Sequence, residues 1–255
     1  MNTLRLIEEL RRELEASAGS VGLVPTMGAL HAGHEALIRA ARAENDVVVV
    51  SLFVNPAQFD EGGDLAAYPR DEERDAARAA AAGADVLFAP AQDEVYPPGF
   101  QTWVDVEELA RGLEGAYRPG HFRGVATVCL KLFNIVRPDR AYFGQKDAQQ
   151  VAVVRRLVQD LNLEITIRSV PTVRDADGLA LSSRNARLSP EEREAALALP
   201  RALATRDLAA ARAALDGLDV DYVEIADFDP PVLAGAVRVG STRLIDNVVL
   251  EEEPA

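Results

Sequence analysis

The sequence predicts an α/β protein: a doubly wound parallel sheet followed by a smaller α+β domain. Three observations carry that expectation. Short apolar runs alternate with amphipathic or alanine-rich stretches of helical spacing through the first two thirds of the chain. The run Val47-Val48-Val49-Val50 shows no polar alternation, as suits a strand covered on both faces. The texture then changes near Pro171, beyond which helix-like residues come first and strand-like runs last. In repeated strand–helix–strand units the crossovers are right-handed, and ligands lie beyond the carboxyl ends of the strands.

Each element has its own signal. Leu4, Ile7, Leu10 and Leu14 make an amphipathic helix of the charged start, residues 1–16. Residues 21–24 read as a buried strand that breaks at Pro25, and 35–43 as an alanine-rich helix. A strand over 46–53, a polar loop over 55–70 and a helix over 71–82 follow, the last ended by Gly83. Residues 85–89 form the next strand; Pro90, Pro97 and Pro98 then mark a long irregular connection to residues 101–106. The donor-rich loop Arg118-Pro119-Gly120-His121-Phe122-Arg123-Gly124 opens into an apolar helix over 125–136. A short strand (141–143), a helix (147–160) and a last strand (164–170) complete the first domain, residues 1–171. In the second domain, 172–255, a polar loop runs through Asn185. Ser189-Pro190-Glu191-Glu192 then starts a helical stretch reaching about residue 215, and strand-like runs follow at 222–226, 237–239 and 242–250.

Composition bounds the class. The chain has 255 residues, 48% apolar and 27% charged, an ordinary globular balance. No apolar run approaches the ~20 residues that cross a membrane, and the charged start is unlike a signal peptide. The single cysteine, Cys129, allows no internal disulfide and suits a reducing cytoplasm; its apolar surroundings in sequence make it a small core residue. A net charge of −14 opposes broad contact with nucleic acid or an anionic membrane, so neither is expected as a partner. The excess acid is assigned to solvated helix faces and to the tail at 251–253. A phosphate ligand remains compatible with that charge, because local donors decide its binding.

The stretch Val24-Pro25-Thr26-Met27-Gly28-Ala29-Leu30-His31-Ala32-Gly33-His34 places two histidines where a strand hands over to a helix. Helix-start amides favour an anion, and imidazoles there can donate to phosphate oxygens. Two other readings stand beside this one: helix capping, and a zinc pair at i and i+3. Zinc would lack partners, since His121 and Cys129 are the only other histidine and cysteine. The metalloprotease pattern fails at Ile38, and no residue is assigned as a metal ligand. Neither glycine-rich nucleotide motif, G-x-x-x-x-G-K-[ST] or G-x-G-x-x-G, is present. A nucleotide would therefore rely on the histidine turn and on two further segments. In Gly144-Gln145-Lys146-Asp147 the lysine can reach a phosphate, and Asp147 can orient a ribose hydroxyl or cap a helix; a plain surface turn is the other reading. Leu181-Ser182-Ser183-Arg184-Asn185, after Thr172-Val173-Arg174-Asp175-Ala176-Asp177-Gly178, reads as a mobile phosphate clamp in a flexible loop or as a polar interdomain linker.

Taken together, the histidine turn, Phe53-Val54-Asn55-Pro56-Ala57-Gln58-Phe59, the 118–124 loop, residues 143–150 and the 177–185 segment resemble the pantoate–β-alanine ligase (pantothenate synthetase) family of the HxGH nucleotidyltransferases. The resemblance runs in order from about residue 20 to 190 and resumes at 221–225 and 242–247. It implies a Rossmann-like domain that binds ATP and pantoate and a C-terminal lid domain. The implied reaction is ATP-dependent: the pantoate carboxylate attacks the α-phosphate of Mg2+-ATP to give pantoyl adenylate and pyrophosphate, and β-alanine then displaces AMP. The turn Met27, Gly28, Ala29, Leu30, His31, Ala32, Gly33 and His34 is similar to the family's ATP-binding turn, with His34 in the proton-donor position and His31 beside the phosphates. Whether His34 transfers a proton or only donates a hydrogen bond stays open at this point. Gly144, Gln145, Lys146, Asp147, Val173, Leu181, Ser182, Ser183 and Arg184 are implied to complete the ATP site, with Lys146 and Arg184 among the phosphate-holding groups alongside the two serines. Gln58 is implied to contact both pantoate and β-alanine, and Gln150 pantoate, while Asn55, Arg118 and His121 shape the site. A homodimer is implied as well. Two departures stand out: Gln145 where many relatives carry Glu, and a short C-terminal domain. The alternatives are a nucleotidyltransferase of the same superfamily acting on a different acceptor, and a non-catalytic nucleotide sensor.

Overall fold

A computed structural model describes residues 1–59, 65–66 and 68–250; part of the expected 55–70 loop and the acidic tail at 251–253 lie outside the described residues. The strands are β1 (Asn2–Leu4), β2 (Val21–Thr26), β3 (Val47–Leu52), β4 (Val86–Phe88), β5 (Arg140–Gly144) and β6 (Thr166–Val170), in one parallel sheet of order β1-β4-β3-β2-β5-β6. From β2 the chain steps outward through β3 and β4, then returns to β5 and β6. The order therefore reverses between β2 and β5, the kind of crevice in which α/β sheets bind ligands.

The helices of this part are α1 (Ile7–Ala16), α2 (Ala32–Glu44), α3 (Glu72–Ala82), α4 (Gln92–Val95), α5 (Glu114–Tyr117), α6 (His121–Val136) and α7 (Ala148–Asp160). Alternate strand residues serve the two faces. Leu23, Val49, Val86 and Phe88 pack with Leu10 of α1, Leu132 and Phe133 of α6 and Val154 of α7. Val24, Val48, Val50 and Leu87 pack with Ile38 and Ala41 of α2 and Ala79 of α3. Burial on both faces is what the unbroken valine run required.

Several boundaries differ from the sequence reading. The first 16 residues are not one helix: β1 precedes α1 and pairs with β4 at the sheet edge, a strand too short and too polar to show a period. Pro25 does not end β2, which continues to Thr26. Main-chain groups of successive residues face opposite neighbours: Val21 O accepts from Asp139 N on the β5 side, and Thr26 O from Phe53 N on the β3 side. Pro25, in phase with Val21, thus turns its missing N–H toward β5, and pairing with β5 covers only Gly22 and Leu23. The strands part there, so the proline forfeits no ladder bond. Helix α6 begins at His121 rather than 125, inside the expected loop. A Cβ on Gly124 would stand 2.3 Å from Ala57 O, so α6 rests backbone to backbone on the 56–58 turn.

The C-terminal part is a three-stranded antiparallel sheet, β7 (Asp219–Ala226), β8 (Val232–Val239) and β9 (Thr242–Val249). The alanine-rich stretch is not one helix but three: α8 (Pro190–Ala196), α9 (Ala198–Leu203) and α10 (Leu208–Ala214). Pro200 cannot donate to the preceding turn, which divides α8 from α9, and Asp207 caps α10 by accepting from Ala210 N at 2.7 Å. These helices cover one sheet face through Leu199, Leu203, Leu233 and Val237; the other face meets Ala148 at the start of α7. Arg243 donates to Glu114 Oε2 at 2.7 Å, and Tyr222 OH to Glu114 Oε1 at 3.0 Å, joining the two parts through buried charge.

Candidate active site

Beyond Thr26 the chain turns through Gly28 at φ +88° and Ala29 at φ +52° before α2 begins. His31 is the N-cap of α2: its Nδ1 accepts from Gly33 N at 3.1 Å, and His34 Nδ1 accepts from His31 N at 3.3 Å. An accepting Nδ1 carries no proton, so each neutral ring holds its proton on Nε2. Capping engages Nδ1 of each ring and leaves Nε2–H to face a ligand, so the two readings of the sequence are compatible in one geometry. Burial, then the Lys146 and Arg78 charges, push His31 down to about 4; burial, then His31, push His34 down to about 3. Both rings are neutral at neutral pH. Both Nδ1 atoms are committed to backbone, and among the described residues no group of three His, Cys, Asp or Glu side chains is placed to hold a metal ion.

Gln58 sits on the turn after β3. Asn55 Nδ2 donates to its Oε1 at 3.0 Å, which aims the Gln58 amide NH2 the other way, 3.0 Å from Met27 Sδ. Asn55 is itself oriented, since its Oδ1 accepts from Tyr96 OH at 3.0 Å and from Ala57 N at 3.3 Å. His121 Nδ1 donates to Gln58 O at 2.9 Å, while Arg118 donates to His121 Nε2 at 3.1 Å. His121 therefore carries the opposite tautomer to His31 and His34, with both ring nitrogens spent on protein groups. Burial and the neighbouring Arg118 charge lower it to about 4.

Lys146 and Asp147 lie between β5 and α7, 3.5 Å apart. Burial opposes ionisation of Asp147, but Lys146 and Arg184 outweigh it and hold the carboxyl below its ordinary range. Asn247 Nδ2 donates to the carbonyls of Gln145 and Lys146, each at 2.9 Å, so β9 sets the path of this segment. Residues 173–181, which lead into the expected clamp at 181–185, form a hydrogen-bonded hairpin. Leu181 N donates to Val173 O and Asp175 N to Leu179 O; Arg193 pairs with Asp175 and Asp177, and Arg174 with Asp246. Ser182 Oγ accepts from Arg184 N at 3.2 Å and starts the turn that presents Ser183 and Arg184.

These segments enclose a cavity of about 240 Å³ at the β2–β5 crevice. Of the predicted residues, Met27, His31, Gly33, His34, Gln58, Gly144, Lys146, Asp147, Gln150, Val173, Leu181, Ser182, Ser183 and Arg184 all line it. Gly28, Ala29, Leu30, Ala32 and Gln145 do not. Gly28 and Leu30 are buried behind the turn, Ala32 faces solvent, and Gln145 is engaged by Ser169 Oγ at 2.7 Å and by Asn247. The amides of Ala29 and Leu30, members of the turn that resembles an ATP-binding turn, both donate to Asp75 at 2.8 Å. Sequence reasoning missed Asp75, which no local motif flags, and Thr172, whose Oγ1 is buried on the cavity wall without a partner among the described residues. It also missed the interdomain carboxylate Glu114. A second cavity of about 280 Å³ shares Lys146, Asp147, Ser182 and Arg184 and extends between the two parts past Arg238 and Arg243.

Comparison with known proteins agrees with this geometry. A model of the family described as Pantoate-beta-alanine ligase matches residues 1–249. A curated relative from Heliobacterium modesticaldum, named pantothenate synthetase, is 55% identical over 97% of this chain and 100% of its own length. One of the same name from Moorella thermoacetica is 53% identical over 98% and 99%. Those alignments span 280 positions against the 255 residues here, so both relatives carry segments that this chain lacks. Among solved structures, the pantothenate synthetase of Thermus thermophilus superposes with a TM-score of 0.93 at 47% identity, covering 99% of this chain and 100% of that one. The Francisella tularensis pantoate-beta-alanine ligase, solved in complex with β-γ ATP and β-alanine, gives 0.87 at 36% identity, with full coverage of both chains. A parallel sheet with its order reversal at β2 and β5, a histidine-headed helix at that crevice and full-length similarity to these enzymes agree on one assignment: the chain belongs to the pantoate–β-alanine ligase family.

Proposed function

We propose that His31 and His34, with Lys146, Ser182, Ser183 and Arg184, hold and neutralise the phosphates of ATP while Gln58 and Gln150 hold pantoate. The activity that goes with the family is the ATP-dependent condensation of pantoate with β-alanine in pantothenate biosynthesis. One pantoate carboxylate oxygen bonds to the α-phosphorus as the bond to the bridging oxygen breaks, and pyrophosphate leaves with that bonding pair. The β-alanine nitrogen then bonds to the acyl carbon of pantoyl adenylate, AMP leaves, and the amine gives up a proton.

The observation that carries the residue assignment is the shared tautomer of the two histidines. Both present Nε2–H on the wall of a cavity that Lys146, Gln58 and Gln150 also line. Negative charge on the phosphate oxygens grows and shifts in the pentacovalent transition state, and fixed donors in a site shielded from water stabilise it more than mobile water does. A neutral imidazole is a poor acid through Nε2–H, so we assign His34 to hydrogen-bond donation rather than to proton transfer. The Gln58 amide NH2 suits an acceptor-only carboxylate or a hydroxyl oxygen of pantoate.

Mg2+ belongs to this reading as a passenger of the nucleotide. Asp147 is the one carboxylate on the described cavity wall, and a magnesium ion that keeps most of its waters and phosphate ligands asks for no more. When bound it would supply charge neutralisation at the phosphates. We further assign 1–171 to ATP and pantoate binding and 172–255 to a lid, with a homodimer in the cytoplasm as the working state; no helix among the described residues is long and apolar enough to cross a membrane.

Release of pyrophosphate and AMP from Mg2+-ATP tests the reading. Pyrophosphate is expected to require pantoate, and multiple-turnover AMP release to require β-alanine as well. ATP binding without pyrophosphate release under either condition would contradict it.

A further inference from the structure

Asp75 lines neither cavity, yet it is 2% exposed, and both of its carboxylate oxygens are engaged by the histidine turn. Oδ2 accepts from Ala29 N and Oδ1 from Leu30 N, both at 2.8 Å. Two converging amides just after a strand form the kind of concavity that binds an anion. Here that seat is filled from within the chain, by a residue 45 positions from Leu30.

The turn and the carboxylate are fitted to each other. Ala29 holds φ +52°, a region that residues bearing a Cβ rarely adopt and that needs outside bonds to persist. Gly28 has φ +88°, and a Cβ there would lie 2.9 Å from Asp75 Oδ2 and 2.9 Å from Leu52 Cδ1. The amides that Asp75 holds belong to the two residues before His31, whose own N–H orients His34. One helical turn further along α3, Arg78 donates to Glu35 Oε1 at 2.9 Å, bracing the first turn of α2 from the same helix. Helix α3 is capped by Asp71, stopped by Gly83 at φ +107° and tied at Glu72 to Arg5, so it is a firm support.

We propose that Asp75 is a positioning residue for the reaction: by occupying the anion seat of the turn it fixes the His31 and His34 imidazoles in the tautomer and orientation that face the phosphates. The inference rests on the reading of those two histidines as phosphate donors. A carboxylate is needed because an asparagine offers one acceptor and one NH2 donor. One turn amide would then face a donor and swing away, carrying the histidines with it.

The test combines kinetics with nitrogen-15 NMR of the imidazoles. Asp75→Asn is expected to lower kcat roughly 10- to 100-fold while KM for ATP stays within about 3-fold, since misplacing a catalytic group by about 1 Å costs on that order. Its His31 and His34 signals are expected to lose the Nε2–H pattern. Arg5→Ala loosens α3 without touching the turn, and is expected to lower the melting temperature with kcat and both imidazole signals unchanged. Unchanged kcat and imidazole signals in Asp75→Asn overturn the proposal, as does an equal kcat loss in Arg5→Ala. If Asp75→Asn does not fold, Asp75→Glu, which keeps the charge but shifts it by one methylene, takes its place with the same expected losses. Should neither fold, amide exchange in the unaltered chain decides: slow exchange at Ala29 and Leu30 supports the seat, and exchange as fast as in exposed loops overturns it. Normal turnover in His34→Ala would sink the underlying histidine reading instead, which the NMR and exchange results do not depend on.

Discussion

The His31 and His34 rings lie 4.2 Å apart, and the main-chain N–H of the first donates to Nδ1 of the second at 3.3 Å. Neither ring can turn over without breaking a bond to the helix it caps. His34→Ala is therefore expected to reduce kcat roughly 100- to 1000-fold, the usual cost of losing a donor to developing charge, with a much smaller change in ATP affinity. Single-turnover pyrophosphate release and equilibrium nucleotide binding separate the two. Equal losses in both would contradict a transition-state role.

The three histidines carry a pH signature. Burial lowers His31 and His121 to about 4 and His34 to about 3, so none should titrate near 6.5 in the free enzyme. In the unfolded chain they titrate near 6.5, and the unfolded state therefore binds more protons in the window between. Their contribution to stability is full above about pH 6.5 and is lost progressively as pH falls toward 4. Imidazole NMR titration together with melting temperatures across that window checks the prediction. A histidine midpoint above 6 would refute it.

Gln58 is read as a donor because Asn55 holds its carbonyl oxygen. Gln58→Glu replaces the amide NH2 with a carboxylate oxygen facing an anionic substrate. KM for pantoate is expected to rise roughly 10-fold or more, in line with an unpaired or repelling polar group in a closed site, while ATP affinity holds. Initial-rate kinetics with each substrate varied in turn reads the contrast.

Glu114 is the anchor of the C-terminal part. Its side chain is 8% exposed and shared by Arg243 and Tyr222. Arg243→Met strands that carboxylate and is expected to cost about 3 kcal/mol of stability. Adding Glu114→Gln to the same chain should restore part of the loss. Denaturant unfolding of the two variants checks the order.

What the sequence disclosed followed the reach of its signals. The β2 turn was legible because an apolar run, two glycines and two histidines fall within a few positions, and the Rossmann-like order followed from alternating periods. Convergence of Gln58, Lys146 and the 182–184 segment followed from the strand-end rule, since each leaves the carboxyl end of a strand in the sheet. Asp75 was invisible because its partners lie 45 and 46 positions away and nothing near it hints at a shared bond. Helix α6 was started late because Gly120 and Gly124 read as loop residues, whereas Gly124 is small in order to meet Ala57 O. The alanine-rich stretch reads as one helical run because helix propensity is high throughout it, while Pro200 and the tertiary turns at 197 and 204–207 that divide it leave no period behind.

Pro25 has a consequence beyond its place in β2. Any two neighbouring parallel strands gain by zipping together, and a crevice between them is a seam that the backbone itself could close. At this seam the proline offers no proton to β5, so closing it would gain one main-chain bond fewer than with any other residue at position 25. The proline thus removes one main-chain bond that would otherwise favour closing the cleft, whether or not a substrate is there. A Pro25→Ala chain would have the missing donor back, and its resting state would be the one free to narrow.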